Sequence, residues 1–173
     1  MLPQLHDDID NRVRSIRADR PDWPCGKGCD GCCHRLSDIP QLTGAEWELL
    51  REGLSLLPAQ RLEEINYAMI ALAGQSERPV VCPFLDQASG TCSVYAQRPV
   101  ACRTYGFYVQ RDRGLYCREI ESRVASGTLS DVVWGNHDAI DQRLGTLGER
   151  RSLIEWFQLP QQKRRPPTLV YKV

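Results

Sequence analysis

The segment that decides the fold is rich in cysteine and glycine, and it reads Trp23-Pro24-Cys25-Gly26-Lys27-Gly28-Cys29-Asp30-Gly31-Cys32-Cys33-His34-Arg35. Its four cysteines and three glycines show no hydrophobic periodicity, so the pattern predicts a loop that packing alone does not shape. We call residues 23–35 the cysteine loop. Glycine adopts positive φ at low cost and lets backbone N–H groups point at sulfur, so Gly26, Gly28 and Gly31 are expected to help the loop wrap a metal.

The other cysteines, Cys82, Cys92, Cys102 and Cys117, follow singly at intervals of ten to fifteen residues. Tetrahedral Zn²⁺ sites and iron–sulfur clusters both commonly take four thiolates, with two or more from one short loop. The eight cysteines therefore suffice for two such sites, or for one site with thiols to spare.

The adjacent pair Cys32 and Cys33 limits how the ligands can be shared. Successive side chains on an extended chain point in opposite directions, so the pair is awkward as two ligands of one ion. The sequence favours two adjacent centres, a polynuclear centre, or one ligand beside one free thiol.

The redox compartment helps to decide whether the cysteines bind metal or form disulfides. Residues 1–8 are acidic where an export signal would carry a basic start and an apolar run, so we expect a cytoplasmic protein. Structural disulfides rarely persist in a reducing compartment, which makes a disulfide scaffold the less favoured alternative.

Composition argues against two other classes of partner. Lys plus Arg equals Asp plus Glu at 22 each, which gives no signal for nucleic acid or an anionic membrane. The longest mostly apolar stretch, residues 67–73, is far shorter than the roughly 20 residues of a membrane-spanning helix. A metal ion is the partner that the sequence indicates, and no protein partner is indicated.

Outside the cysteine loop, hydrophobic periodicity predicts mostly helix. A capping box, Thr43 with Glu46, opens one helix, and Pro58 and Gly74 begin and end the next. The predicted helices cover residues 3–18, 44–56, 58–74, 118–125, 137–147 and 149–158.

Short hairpins are predicted for 82–86 with 91–95 and for 105–109 with 115–117, and a helical turn begins at Pro99. The fold class is therefore mainly α with small β-hairpins, an irregular α+β fold. We expect a single cysteine-rich metal-binding domain over residues 1–160, with two small lobes around one metal region as the alternative. Residues 161–173 are predicted to form a basic, flexible C-terminal tail.

Four motifs together resemble the YkgJ-type cysteine-cluster family of zinc- or iron-chelating domains: Cys25 to Cys33, Cys82-Pro83-Phe84-Leu85, Gly90 to Tyr95, and Arg98 to Tyr105, followed by Cys117. The resemblance covers residues 25–117, the core motif region, and includes all eight cysteines in order. It implies that these cysteines chelate metal: Cys25, Cys29, Cys32, Cys33, Cys82, Cys92, Cys102 and Cys117.

One branch of that family is similar to flagellin lysine methylases with an iron–sulfur centre, and this chain has a shorter body than that branch. The spacing of Cys25, Cys29 and Cys32 also matches the three-cysteine motif of radical S-adenosylmethionine enzymes. A chain of 173 residues does not easily hold the barrel of those enzymes.

Three functional interpretations follow. The first is a binding module that holds Zn²⁺ or iron for a structural, storage or delivery purpose. The second is an iron–sulfur redox protein or enzyme, with S-adenosylmethionine-dependent, methylase-like chemistry as one version. The third, a zinc-ribbon-like adaptor, lacks its signature of paired C-x-x-C knuckles with a basic face. No catalytic residue is indicated.

Charged neighbours of the cysteines are the remaining candidates. A four-thiolate centre carries a net charge near minus two, which Lys27, Arg35, Arg98 and Arg103 could offset. Arg98 and Arg103 could alternatively bind an anionic substrate, although charge neutralisation is favoured. His34 is a candidate nitrogen ligand, less favoured than the thiolates.

Overall fold

An amphipathic helix, α1 (Leu2–Asp19), opens the chain and buries the residues that recur at helical spacing. The structure is a computed structural model that describes residues 1–111 and 113–159. Leu5, Ile9 and Ile16 are almost fully buried, and they place one face of α1 against the rest of the chain. The helix predicted for 3–18 is confirmed.

The other helices match most of the predicted ones. The Thr43–Glu46 capping box is present, and Pro58 precedes the first helical residue instead of occupying it. The helices are α2 (Gly31–His34), α3 (Gly44–Ser55), α4 (Ala59–Ala73), α5 (Val100–Thr104), α6 (Arg118–Ala125), α7 (His137–Gly145) and α8 (Leu153–Gln158).

A 3-10 helix covers Tyr95–Gln97. The strands are short: β1 (Gln41–Thr43), β2 (Leu85–Asp86), β3 (Thr91–Cys92), β4 (Tyr108–Gln110), β5 (Arg113–Gly114), β6 (Gly135–Asn136) and β7 (Arg150–Ser152). The two predicted hairpins are confirmed as antiparallel β2–β3 and β4–β5. Strand β6 joins β4 in parallel, and β1 pairs with β7 across more than 100 residues of sequence. The prediction of helix from residue 149 is wrong for β7.

The result is a single, mainly α domain with small β-hairpins, as the sequence predicted. Two clusters of buried apolar side chains lie within it. The first combines α1 with residues such as Phe107, Ile120 and Ile140. The second combines α3, α4 and α8 through residues such as Leu50 and Met69. The predicted tail, residues 161–173, lies outside the described residues.

Hydropathy of the helices bears on membrane insertion. Among the described residues, every helix is too short or too polar to cross a bilayer.

Candidate metal centre

A single cavity collects most of the cysteines from separated parts of the chain. Its wall includes apolar side chains of the second cluster, among them Leu42, Phe84 and Leu153. Seven of the eight cysteines line it: Cys25, Cys29, Cys32, Cys33, Cys82, Cys92 and Cys102. Soft sulfur donors from distant sequence positions therefore share one cavity.

Local hydrogen bonds shape the cysteine loop. The Cys29 N–H donates to the Gly26 carbonyl at 3.1 Å, and the Cys33 N–H donates to the Asp30 carbonyl at 2.8 Å. Of the three glycines expected at positive φ, only Gly28 has it, with φ of 93°. An added side chain at Gly26 would meet only the end of the flexible Arg17 side chain, so crowding does not by itself require glycine there.

The short helix α2 changes the geometry expected of Cys32 and Cys33. The sequence argument assumed an extended chain, in which the two thiols would diverge. On α2 their Sγ atoms lie 4.0 Å apart, so both side chains reach the same cavity. The expectation of opposite directions is wrong, because successive residues of a helix are rotated by only about 100°.

Backbone pairing brings the central cysteines to the loop. The Leu36 and Val80 backbones exchange hydrogen bonds of 2.9 Å, and the Cys82 N–H donates to the Cys33 carbonyl at 2.7 Å. Cys92 then follows through the β2–β3 hairpin, in which it pairs with Leu85.

The last two cysteines sit at the beginnings of helices. Cys102 lies in the first turn of α5, which begins directly after Pro99. Cys102 is exposed as a residue, but protein atoms surround its thiol, which lines the cavity. Cys117 precedes α6 and packs against the first cluster, outside the cavity wall.

Burial favours the protonated thiol at Cys25, Cys92 and Cys102. Burial, then the charges of Cys29, Cys32 and Cys117, raises the pKa of Cys25 to about 12. Burial is also the largest cause that raises the pKa of Cys102 to about 12 and that of Cys92 above its usual value. A metal must therefore displace protons from the sulfurs it binds.

Among the cations nominated from the sequence, only Arg98 lines the cavity. Its guanidinium lies over the Tyr95 ring, 4.0 Å from the centroid, and its buried Nε has no hydrogen-bond partner among the described residues. Arg103 is instead a structural residue, because it donates to Asp10 at 2.8 Å and to the carbonyls of Ala96 and Arg98.

The remaining nominated side chains point elsewhere. Lys27 and Arg35 are exposed and lie outside the cavity wall. His34 is exposed too; its Nε2 lies 3.1 Å from Asp30 Oδ2, and it lies outside the cavity wall. Sequence reasoning missed Gly106, which borders Cys25, and gave Tyr105, which also borders Cys25, no role at the metal site; their position at the end of the Arg98 to Tyr105 motif and directly after it was the available signal.

The thiols share a cavity, but their arrangement is not yet that of a metal site. Within residues 1–111 and 113–159, no group of three or more His, Cys, Asp or Glu side chains has the geometry of a metal site. The residues nevertheless fit zinc or iron by donor chemistry, since all the sulfurs are free thiols and one cation lines their cavity.

The fold and the thiol-lined cavity together define the class of protein: a mainly helical, cysteine-rich domain with the donor set of a metal chelator. Residues 24–122, more than half of the chain, match the CxxCxxCC family model, described as "Putative zinc- or iron-chelating domain". The chain belongs to this family, which confirms the resemblance to the YkgJ-type proteins. Comparisons with curated proteins and with solved structures gave no match.

Proposed function

We propose that this protein binds Zn²⁺ or iron through the thiolates of its eight cysteines. The observation that carries the proposal is the cavity, where seven thiols from the cysteine loop, the β2–β3 region and α5 converge. Thiolates are soft ligands that suit zinc and iron–sulfur centres, whereas calcium and magnesium prefer oxygen. Membership of a zinc- or iron-chelating family supports the same conclusion.

The state of the sulfurs supports ligation over cross-linking. All eight cysteines are free thiols, the state that a reducing cytoplasm maintains. Arg98 stands in the cavity wall, where its charge offsets that of a thiolate centre and lowers the pKa of Cys92 and Cys102 against the effect of burial. We propose a cytoplasmic location, which the acidic first residues and the free thiols support, with metal as the partner.

The test is the metal content of protein purified without oxygen. We expect zinc or iron in a fixed ratio to the chain, and a visible spectrum that tells the two apart. A colourless protein with zinc supports the plain binding module. Freshly isolated protein without metal, which also fails to bind added Zn²⁺ or Fe²⁺, would overturn the proposal.

A second candidate is an iron–sulfur redox protein or enzyme, including the methylase-like version. The observation that favours it is access: Cys29 and Cys102 are exposed, and the unpartnered Nε of Arg98 lies beside the cavity. A closed structural zinc site has no need of such access. A brown protein with iron and acid-labile sulfide in similar amounts would support this candidate and exclude the zinc module.

A further inference from the structure

The two hydrophobic clusters divide the cysteines between them. Cys25 and Cys117 pack against the first cluster, which α1, α6 and α7 help to form. Cys82 and Cys92 pack against the second cluster, with α3, α4 and α8. The cysteine loop supplies the remaining sulfurs between these two pairs, apart from Cys102 on α5.

We propose that the thiols form two four-thiolate metal centres, and this rests on the proposed function. The first centre consists of Cys25, Cys29, Cys32 and Cys117, and the second of Cys33, Cys82, Cys92 and Cys102.

The first group is held together around Gly106. The Cys25 thiol lies 3.7 Å from the Tyr105 carbonyl, and its sulfur is 2.9 Å from the position of a Cβ on Gly106. Ile120, in the first turn of α6, touches the same position at 3.4 Å, and Cys117 precedes that turn. Cys25 and Cys117, from the two ends of the core motif region, are thus both brought to the surroundings of Gly106.

Electrostatics supports the same grouping. The charges that raise the pKa of Cys25, after burial, belong to Cys29, Cys32 and Cys117. Burial and the charges of Cys117, Cys32 and Cys25 also raise the pKa of Tyr105 to about 12. The tyrosine therefore borders three sulfurs of the first centre.

The second group is held together by backbone pairing. The 2.7 Å bond between the Cys82 N–H and the Cys33 carbonyl joins α2 to the segment before β2, and Leu85 pairs with Cys92 one turn later. The Cys32 thiol lowers the pKa of Cys33, but the Cys82 thiol, burial and the charge of Cys92 together raise it to about 12. Cys102 lines the same cavity, and burial, then the charges of Cys32, Cys92 and Cys33, raises its pKa, so it lies near two sulfurs of the second group and near Cys32, the neighbour of Cys33.

The pair Cys32 and Cys33 then joins the two centres. Both thiols line the cavity with their sulfurs 4.0 Å apart, and the proposal assigns one to each group. With Cys33, the second group has four sulfurs. Cys32, with Cys25, Cys29 and Cys117, gives the first group four as well. Two neighbouring cysteines that are awkward as ligands of one ion would then each bind a different centre.

The experiment measures metal content in pairs of Cys→Ser variants of the full chain, reconstituted anaerobically with Zn²⁺ or, for an iron protein, with iron and sulfide. Cys117→Ser and Cys92→Ser are each expected to keep about half of the wild-type metal. Cys25→Ser/Cys117→Ser, within one centre, should also keep about half. Cys92→Ser/Cys117→Ser, across the centres, should lose nearly all of it.

Three results would overturn the division. One is wild-type protein that holds a single zinc ion or a single cluster. Another is a folded single variant that loses all metal, because this indicates one shared centre. The third is equal metal content in the two double variants. Where a variant does not fold by circular dichroism, the wild-type stoichiometry and a stepwise Co²⁺ titration of wild-type thiols decide the number of centres. Absence of metal from wild-type protein would contradict the proposed function itself.

Discussion

Gly106 lies against the Cys25 sulfur, and its position requires glycine. Its φ is 87°, a conformation that side chains disfavour, and an added Cβ would stand 2.9 Å from the Cys25 sulfur. Gly127 has a similar φ of 76° but open space around it. The pair therefore separates backbone strain from crowding at the sulfur.

We expect Gly106→Ala to lower the free energy of unfolding by about 2–4 kcal/mol, since strain and overpacking add. Gly127→Ala should cost about 1 kcal/mol, because only strain acts there. Denaturant unfolding and metal content check this, and only Gly106→Ala should also lose metal. Equal costs in both variants would show that the contact with Cys25 is unimportant.

Arg98 is the cation that the cavity wall offers to the thiolates. Arg98→Gln should weaken metal binding roughly tenfold, about 1.4 kcal/mol, because a thiolate centre loses its nearby positive charge. Arg98→Lys should restore most of the affinity. Competition with a coloured chelator measures the constant, and Arg35→Gln, at an exposed position outside the cavity, is the control. Equal affinity in Arg98→Gln and Arg35→Gln would remove Arg98 from the site.

His6 links stability to pH. Burial, followed by the charge of Arg103, lowers its pKa from 6.5 to about 4, against the opposing charges of Asp10 and Asp7, and Arg98 lowers it further. Between these values the unfolded chain takes up a proton that the folded chain refuses, so stability falls as pH falls from 6.5 toward 4.

His6→Leu removes this titration and a buried Nε2 that has no partner among the described residues. Between pH 7 and pH 4.5 we expect wild type to lose about 2–3 kcal/mol more stability than the variant. Urea unfolding of both proteins with a chelator present measures the difference, because metal loss then affects neither. Parallel pH profiles would show that His6 accepts its proton in the folded state.

At the scale of elements, the capping residue Glu46 ties α3 to the helix that carries Cys102. Its Oε2 accepts from the Thr43 N–H at 2.9 Å, and its Oε1 accepts from the Val100 N–H at 2.9 Å, at the start of α5. Glu155 makes the same capping box with Ser152 at the start of α8, but its side chain is exposed. The two glutamates are a matched pair.

Glu46→Ala should destabilise the fold by about 3 kcal/mol, because it leaves buried N–H groups unpaired at two helix starts. Glu155→Ala should cost about 1 kcal/mol, the usual value of an exposed cap. Thermal or urea unfolding gives both numbers. A similar cost for the two would mean that the bond to Val100 contributes little.

At the scale of the whole molecule, we expect the two apolar clusters and the proposed metal to stabilise different parts. Residues 79–117 contribute Val80, Phe84 and Val94 to the second cluster and Val100, Phe107 and Tyr108 to the first. Within the cysteine loop only Trp23 is buried. The metal should therefore stabilise the cysteine loop more than the rest of the domain.

Removal of the metal with a chelator should consequently expose the cysteine loop before the domain unfolds. Trypsin is expected to cut first after the exposed Lys27, at least tenfold faster than in metal-loaded protein, while circular dichroism still shows folded helices. Mass spectrometry of the early fragments identifies the cut. Equal cleavage with and without metal would show that the loop is ordered without it.

Local patterns predicted the elements that depend on neighbours in sequence. The helical spacing on α1, the capping box of α3 and the two hairpins were all readable, because each is set by residues within about ten positions. The β1–β7 pairing and the parallel β6 strand were not, because two- and three-residue strands carry no periodic signal and their partners are distant. The direction of the Cys33 side chain was predicted wrongly, because the local sequence does not distinguish an extended segment from the turn of α2.

The sequence by itself determined the donor chemistry: eight thiols, a glycine-rich loop and the motifs of a metal-chelating family are properties of residue type and spacing. Tertiary structure alone decided which sulfurs are neighbours, that Arg98 faces them while Arg103 bonds Asp10, and that Cys82 meets Cys33. The physical reason is that chemistry belongs to single residues, whereas proximity comes from long-range packing and hydrogen bonds that no local pattern encodes.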